Sequence, residues 1–160
     1  MFLVGDRIVY PMHGAGVIEG IEEKDILGET RRYYILRVPC GDMKIMVPVE
    51  TSSDSGMRDI INEDQLSGVI DSLREESTEM SDNWNRRNRE NMEKLKTGDL
   101  YNVAEVIRNL LRADKRKKLS TGEKKMLNNA RQLLVSEMIL VRGIGRDEAE
   151  DIINEAVGES

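Results

Sequence analysis

The sequence predicts an α+β fold: a small sheet or partly closed β-barrel over residues 1–55, followed by an all-α helical bundle over residues 56–160. Three observations predict it. All three prolines, Pro11, Pro39 and Pro48, fall in the first third of the 160-residue chain. Apolar residues in that third come in short or alternating runs separated by turn chemistry, the pattern of half-buried strands. After the polar stretch 51–56 (TSSDSG) no proline recurs, and the apolar period lengthens to that of helices.

The expected strands are 6–10, 16–22, 31–38 and 43–49. Turns are expected at His13-Gly14-Ala15-Gly16, Leu27-Gly28-Glu29 and Cys40-Gly41-Asp42. In the last run Met43, Ile45, Val47 and Val49 share one face, because side chains alternate along a strand. Pro48 cannot donate a ladder hydrogen bond, which places that run at a sheet edge. A module of about 55 residues is marginal alone, so it needs support from the other half or from a partner.

Five helices are expected. The first, 62–75, has Leu66, Val69, Ile70 and Leu73 as its apolar side. The second, 81–96, stops at Thr97-Gly98. The third starts after Asp99 and carries Leu100, Val103, Ile107, Leu110 and Leu111. The fourth opens on Ser120-Thr121-Gly122-Glu123, a capping-box pattern, and buries Met126, Leu127, Ala130, Leu133, Leu134 and Met138. The fifth, 146–157, is short and acidic.

The chain carries no GxxxxGK[ST] phosphate loop, HExxH, GxSxG, or GxGxxG after a strand. Its one cysteine, Cys40, and one histidine, His13, give neither an internal disulfide nor a Cys/His metal site. His13 reads as structural, in a glycine-rich turn without a visible partner, and Cys40 as an inert thiol. Neither catalysis, a cofactor nor a small-molecule substrate is expected. No apolar run reaches the roughly 18 residues of a membrane span, and the first residues lack the pattern of a signal peptide. No membrane partner is expected, and the expected location is cytoplasmic.

Net charge is −6, but its distribution is uneven. Residues 1–70 hold 7 Lys/Arg and 12 Asp/Glu, whereas residues 84–131 hold 14 Lys/Arg against 6 Asp/Glu. Exposed charges more than about 10 Å apart are largely screened at 0.1 M salt, so a phosphate near the middle block feels mostly that block. Within it lies the only tryptophan, Trp84, among Asn83, Asn85, Arg86, Arg87, Asn88 and Arg89. Helical spacing aligns Trp84 with Asn88, Asn91 and Leu95. Such a ring either packs the helix onto the bundle or stays exposed and stacks on bases, with phosphate contacts from the arginines. Lys115-Arg116-Lys117-Lys118 and Lys124-Lys125 sit where the third helix gives way to the fourth. Cations at a helix start oppose its dipole, which makes a phosphate partner attractive there. Val141–Ala149, with Gly143-Ile144-Gly145, is similar to the turn of helix-hairpin-helix DNA binders. The acids Asp147, Glu148, Glu150 and Asp151 that follow favour a plain helix C-cap.

With these residues in view, the chain closely resembles the CarD/CdnL family of bacterial transcription regulators over nearly its whole length. The N-terminal match is Gly5-Asp6-Arg7-Ile8-Val9-Tyr10-Pro11 with His13-Gly14-Ala15-Gly16, then Gly41-Asp42 leading to Val47-Pro48. Transcription-repair coupling factors carry a related module, but this chain has no helicase motifs. The more specific C-terminal match is Asn83-Trp84, Arg86-Arg87, Asn91, Glu93-Lys94-Leu95, Gly98-Asp99, Val103-Ala104-Glu105-Val106, Leu119-Ser120, Gly122-Glu123-Lys124 and Met126-Leu127.

The resemblance implies a Tudor-like N-terminal domain that docks on the β subunit of bacterial RNA polymerase. It implies a helical domain that contacts promoter DNA beside the melted region. Trp84 would wedge into the minor groove and stabilise the open complex, and Arg86, Arg89 and Lys124 fall where family members place basic DNA contacts; Arg87 and Lys125, in the same basic block, are expected contacts from the residues alone. Lys24 would meet the polymerase, and Lys44, Ile45, Met46 and Val47 of the expected edge strand are the further residues expected to meet it. Lys24 keeps a basic family position, whereas Met46 departs from one that is basic in some relatives. An edge strand near 43–47 is also the surface a partner needs to add a strand. Two rival classes stand beside this reading: a free-standing nucleic-acid-binding architectural protein, and a structural adaptor with Trp84 buried.

Overall fold

A computed structural model describes residues 2–39, 43–52 and 56–158. The expected turn at Cys40-Gly41-Asp42 and residues 53–55 of the expected linker lie outside them. The described elements run β1 (Arg7–Tyr10), β2 (Gly14–Ile26), β3 (Glu29–Val38), β4 (Met43–Pro48), β5 (Arg58–Asp59), α1 (Glu63–Arg74), α2 (Trp84–Lys96), α3 (Leu100–Arg116), α4 (Thr121–Arg142) and α5 (Arg146–Gly158). The strands form one antiparallel sheet in the order β4-β3-β2-β1-β5. The fold is therefore α+β, as the sequence predicts, and β4 is an edge strand.

Two local expectations need correction. The first turn lies at Tyr10–His13, where the His13 amide donates to the Tyr10 carbonyl at 2.9 Å, and Gly14-Ala15-Gly16 opens β2 instead. Pro11 supplies the fixed φ that such a turn needs at its second position. The glycines serve close approach. Gly14 has φ +112°, and a Cβ on it would stand 2.8 Å from Ser136 Oγ on α4; one on Gly16 would stand 2.5 Å from the Arg37 carbonyl oxygen. Secondly, β5 falls beyond the expected division at residues 55/56. Its two residues pair with β1, Ile8 opposite Asp59 and Val9 opposite Arg58.

All five expected helices form; α2 begins at Trp84, three residues later than expected, because Asn83 takes the cap. Asn62, Asn83, Asp99 and Ser120 each cap the following helix by accepting a backbone N–H with the side chain, and α1 has a full capping box with Gln65. Gly143, in the left-handed conformation, is the C-cap of α4. Arg112 on α3 performs capping at the other ends. Its buried guanidinium donates to the carbonyls of Leu73, Arg74 and Glu75 at the end of α1, to that of Val157 in α5, and to Ser77 Oγ. Helix C-termini carry partial negative charge, so this cation satisfies several orphan carbonyls at once.

Sheet and bundle share one continuous core, from Ile8, Ile18, Tyr34, Leu36 and Val47 through Leu95, Ile107, Leu110 and Leu134 to Ile153. Polar contacts along one face of α4 fix how the two halves meet. Ser136 Oγ accepts from the Ala15 amide at 2.9 Å, and the Leu140 carbonyl accepts from Arg7 Nη1 at 2.7 Å. Between them the fully buried Glu137 receives Arg58 bidentately, Nη1 to Oε2 and Nη2 to Oε1, both at 2.9 Å, and the Ile61 amide at 2.8 Å. Arg58 also donates from Nε and Nη2 to the Gly98 carbonyl between α2 and α3.

Removing one member of a buried, hydrogen-bonded ion pair leaves the other uncompensated, at a cost of about 3–5 kcal/mol. Glu137→Ala should lower unfolding stability by about 3 kcal/mol, allowing for the partial exposure of Arg58. Urea titration followed by circular dichroism measures this. A loss below about 1 kcal/mol, the range of an exposed pair, would count against Glu137 as the joint.

Candidate nucleic-acid interface

Trp84 occupies the first position of α2, directly after its cap Asn83, whose Oδ1 accepts the Arg86 amide at 3.0 Å. Trp84 is 46% exposed. It is therefore not the core residue that its size favours, and the adaptor class, which requires a buried Trp84, loses its support. Further along the same face, Asn91 and Leu95 are buried and hold the helix to the bundle. The ring lies over the first turn of α4: a Cβ on Gly122 would be 3.6 Å from its Cζ2.

That contact brings the α2 and α4 N-termini to one end of the bundle, where the chain also arrives from the end of α3 through Lys115, Arg116, Lys117 and Lys118. Arg86 is exposed and pairs with Glu90 at 2.8 Å. Arg89 and Lys125 are exposed and Lys124 half-buried; among the described residues, none of the three has a carboxylate within ion-pair distance. Arg87 differs. Its Nε donates to Glu123 Oε2 at 3.0 Å and its Nη1 to the Ser81 carbonyl at 3.1 Å, with both ion-pair partners largely buried. The expectation that Arg87 is a DNA contact thus meets a guanidinium already committed inside the protein. Sequence reading took Glu123 only as half of a capping box and gave no role to Gly122.

The segment leading to Trp84 is tied down from α3. Thr78 Oγ1 donates to Glu105 Oε1 at 2.9 Å and accepts from Asn109 Nδ2 at 2.8 Å, and Lys94 Nζ reaches Glu105 Oε1 at 2.9 Å. Burial acts to raise the Glu105 pKa. The hydrogen bonds from Lys94 and Thr78, with the charges of Lys94 and Arg108, outweigh it and hold the carboxyl below its ordinary 4.5.

At the other end of the molecule, Lys24, Lys44 and Met46 lie on the outer face of the sheet. They stand opposite Arg31, Arg37 and Ile35 of β3 respectively. Met46 is 40% exposed, and Lys44 Nζ pairs with Glu19 at 3.3 Å. Lys24 is separated from Met46 by four residues of β3, about 14 Å. Val47 corrects its expectation: its side chain faces the core and is fully buried, so only its backbone is available at that edge. Ile45 shares that inward face and is half-buried. His13 is used structurally, its ring stacked on Tyr10 with centroids 4.4 Å apart.

Residues 2–61 match the family described as CarD-like/TRCF RID domain, and residues 68–154 match that described as CarD, C-terminal domain. The chain belongs to the CarD family. It is also 40% identical over 144 residues to YdeB, a candidate transcription factor of Bacillus subtilis (strain 168), covering 90% of this chain and 94% of that protein. CarD-family membership assigns the chain to transcription regulation and makes its sheet a Tudor-like module. Among the described residues, no helix is long and apolar enough to cross a membrane.

A carboxyl whose folded pKa is depressed stabilises the protein above its ordinary pKa, and that contribution is lost as pH falls through the folded value. Glu105→Gln should therefore unfold at lower urea than the parent at about pH 7. The gap should shrink below 4.5 and close once the parent's Glu105 is protonated. An equal gap at about pH 7 and about pH 3 would contradict the assignment.

Proposed function

We propose that this CarD-family protein docks on the β subunit of bacterial RNA polymerase and stabilises the promoter open complex, with Trp84 as a minor-groove wedge. Docking uses the β4 edge and the outer sheet face with Lys24, Lys44 and Met46; Ile45 and Val47 shape the edge from within. DNA is gripped without sequence reading by Arg86, Arg89, Lys124 and Lys125. The protein performs no turnover of its own and works in the cytoplasm, at the nucleoid, through the polymerase.

The observation that carries this reading is the half-exposed indole of Trp84 at the cationic end of the bundle. A tryptophan left half in water gives up burial it would gain in a core. Stacking on or between partly unstacked bases, worth about 1–3 kcal/mol per base, offsets that loss. A wedge that favours distorted over intact duplex biases the equilibrium towards the melted state. The excess of positive charge over residues 84–131 gives only weak, non-specific DNA affinity at physiological salt. Holding the protein on the polymerase raises its effective concentration beside the promoter.

Capture by purified bacterial RNA polymerase, followed by the lifetime of the open complex, tests the proposal. Trp84→Ala should shorten that lifetime about tenfold while leaving the fold and polymerase capture intact. An unchanged lifetime would sink the wedge. Met46→Asp should weaken polymerase capture with little effect on stability, since the side chain is exposed; a parent with no measurable polymerase affinity would overturn docking. Trp84-dependent DNA binding of equal strength with and without polymerase would favour the free-standing alternative.

A further inference from the structure

Glu123 is an acid at the end of the molecule where cations gather, and it is buried there rather than solvated. Both its oxygens are used: Oε1 accepts from Ser120 Oγ at 3.2 Å and Oε2 from Arg87 Nε at 3.0 Å. Arg87 lies three residues after Trp84, so ring and guanidinium share a face of α2. They come down on consecutive residues of α4, the ring over Gly122 and the guanidinium on Glu123. A second bond, from Arg87 Nη1 to the Ser81 carbonyl, draws the segment before the helix into the same knot. The buried contacts of α2 begin only at Asn91, two turns later. Trp84 is itself half exposed and, among the described residues, belongs neither to the core nor to the partly buried side chains packed against it.

We infer that Glu123 and Arg87 are positioning residues for Trp84: their ion pair pins the first turn of α2 to α4 and fixes the direction in which the indole projects. The inference rests on the reading of Trp84 as a DNA contact. It assigns Arg87 to the protein rather than to a phosphate, and it makes an acid necessary on a surface that meets a polyanion.

Glutamine at position 123 separates this role from simple electrostatics. It leaves untouched the N-cap bond, in which Ser120 Oγ accepts the residue-123 amide at 3.2 Å, and removes the charge that holds Arg87 along with one of the two acceptor oxygens. If Glu123 were a passive acid beside phosphates, Glu123→Gln would bind DNA as well or better, because the net positive charge of the site rises. Under the positioning role it loses Trp84-dependent recognition.

The experiment uses the full chain with duplex DNA and with DNA of the same length carrying an unpaired segment. Fluorescence of the single tryptophan is recorded free and bound, with acrylamide quenching of the free protein. Glu123→Gln and Arg87→Gln should each change acrylamide quenching of Trp84 in the free protein. Each should also lower the preference for the partly unpaired DNA by at least about threefold, with the double variant no worse than either, as residues acting through one contact behave. Circular dichroism checks that each variant is folded, and either single variant suffices if the other is not.

Unchanged Trp84 quenching in both variants overturns the inference, even if Trp84→Ala still abolishes the preference. So does an Arg87→Gln variant whose salt dependence falls by about one phosphate contact while Trp84 emission stays put, the mark of a direct phosphate ligand. If Trp84→Ala leaves the preference intact, the DNA-contact reading of Trp84 fails instead. Quenching of the free protein then still decides whether the ion pair sets the ring.

Discussion

A carboxylate sealed from water needs its charge and its lone pairs answered by neighbours, and at Glu137 the answers come from elsewhere in the chain. Arg58 arrives from the last strand of the sheet, and the Ile61 amide from the entry to the first helix. Because Arg58 is bonded to Gly98 as well, the sheet, α4 and the α2–α3 junction are located by one guanidinium. Such a pair has a large desolvation cost, and its net worth against an apolar replacement can be small. What it supplies is geometry: only one placement of sheet on bundle satisfies every atom. The seating of Ser136 against Gly14, where a side chain would collide, follows from the same placement.

The element that receives these contacts also carries the other end of the molecule. Gly122 and Glu123 begin α4 beneath Trp84, and Glu137 lies fourteen to fifteen residues on, about 22 Å along a rigid helix. The cationic end and the sheet are thus joined through one continuous rod rather than through the polar stretch that sequence reading took for a linker. Arg112, one turn before the end of α3, holds the ends of α1 and α5 together with a charge that has no carboxylate within ion-pair distance among the described residues.

The helices were legible because their signals are local. A cap such as Ser120 and an apolar stripe three or four residues apart act within one or two turns, and α4 starts where the sequence puts it, whereas α2 starts three residues late, after Asn83. β5 was not legible: two residues, Arg58 and Asp59, become a strand only because β1 is beside them. Arg87 carried no mark to tell it from Arg86 or Arg89, since its partner is 36 residues away. One signal did exist. Glu137 falls four residues after Leu133 and seven after Ala130, on the apolar stripe of α4, where an acid must find a cation. The exposure of Trp84 was open on composition, since size argues for burial while its polar neighbours argue against it.

Among the described residues β4 leaves one side of its backbone unpaired, and an unpaired edge accepts strands indiscriminately, including that of a second copy of the same chain. Self-association along this edge is opposed by its composition. The strand is six residues long, ends at a proline that has no N–H to give, and holds out the exposed Lys44. Two copies meeting there in antiparallel register near their centres would gain few hydrogen bonds while bringing like charges close. Short length, a missing donor and one lysine therefore oppose strand addition by a second copy without covering the edge.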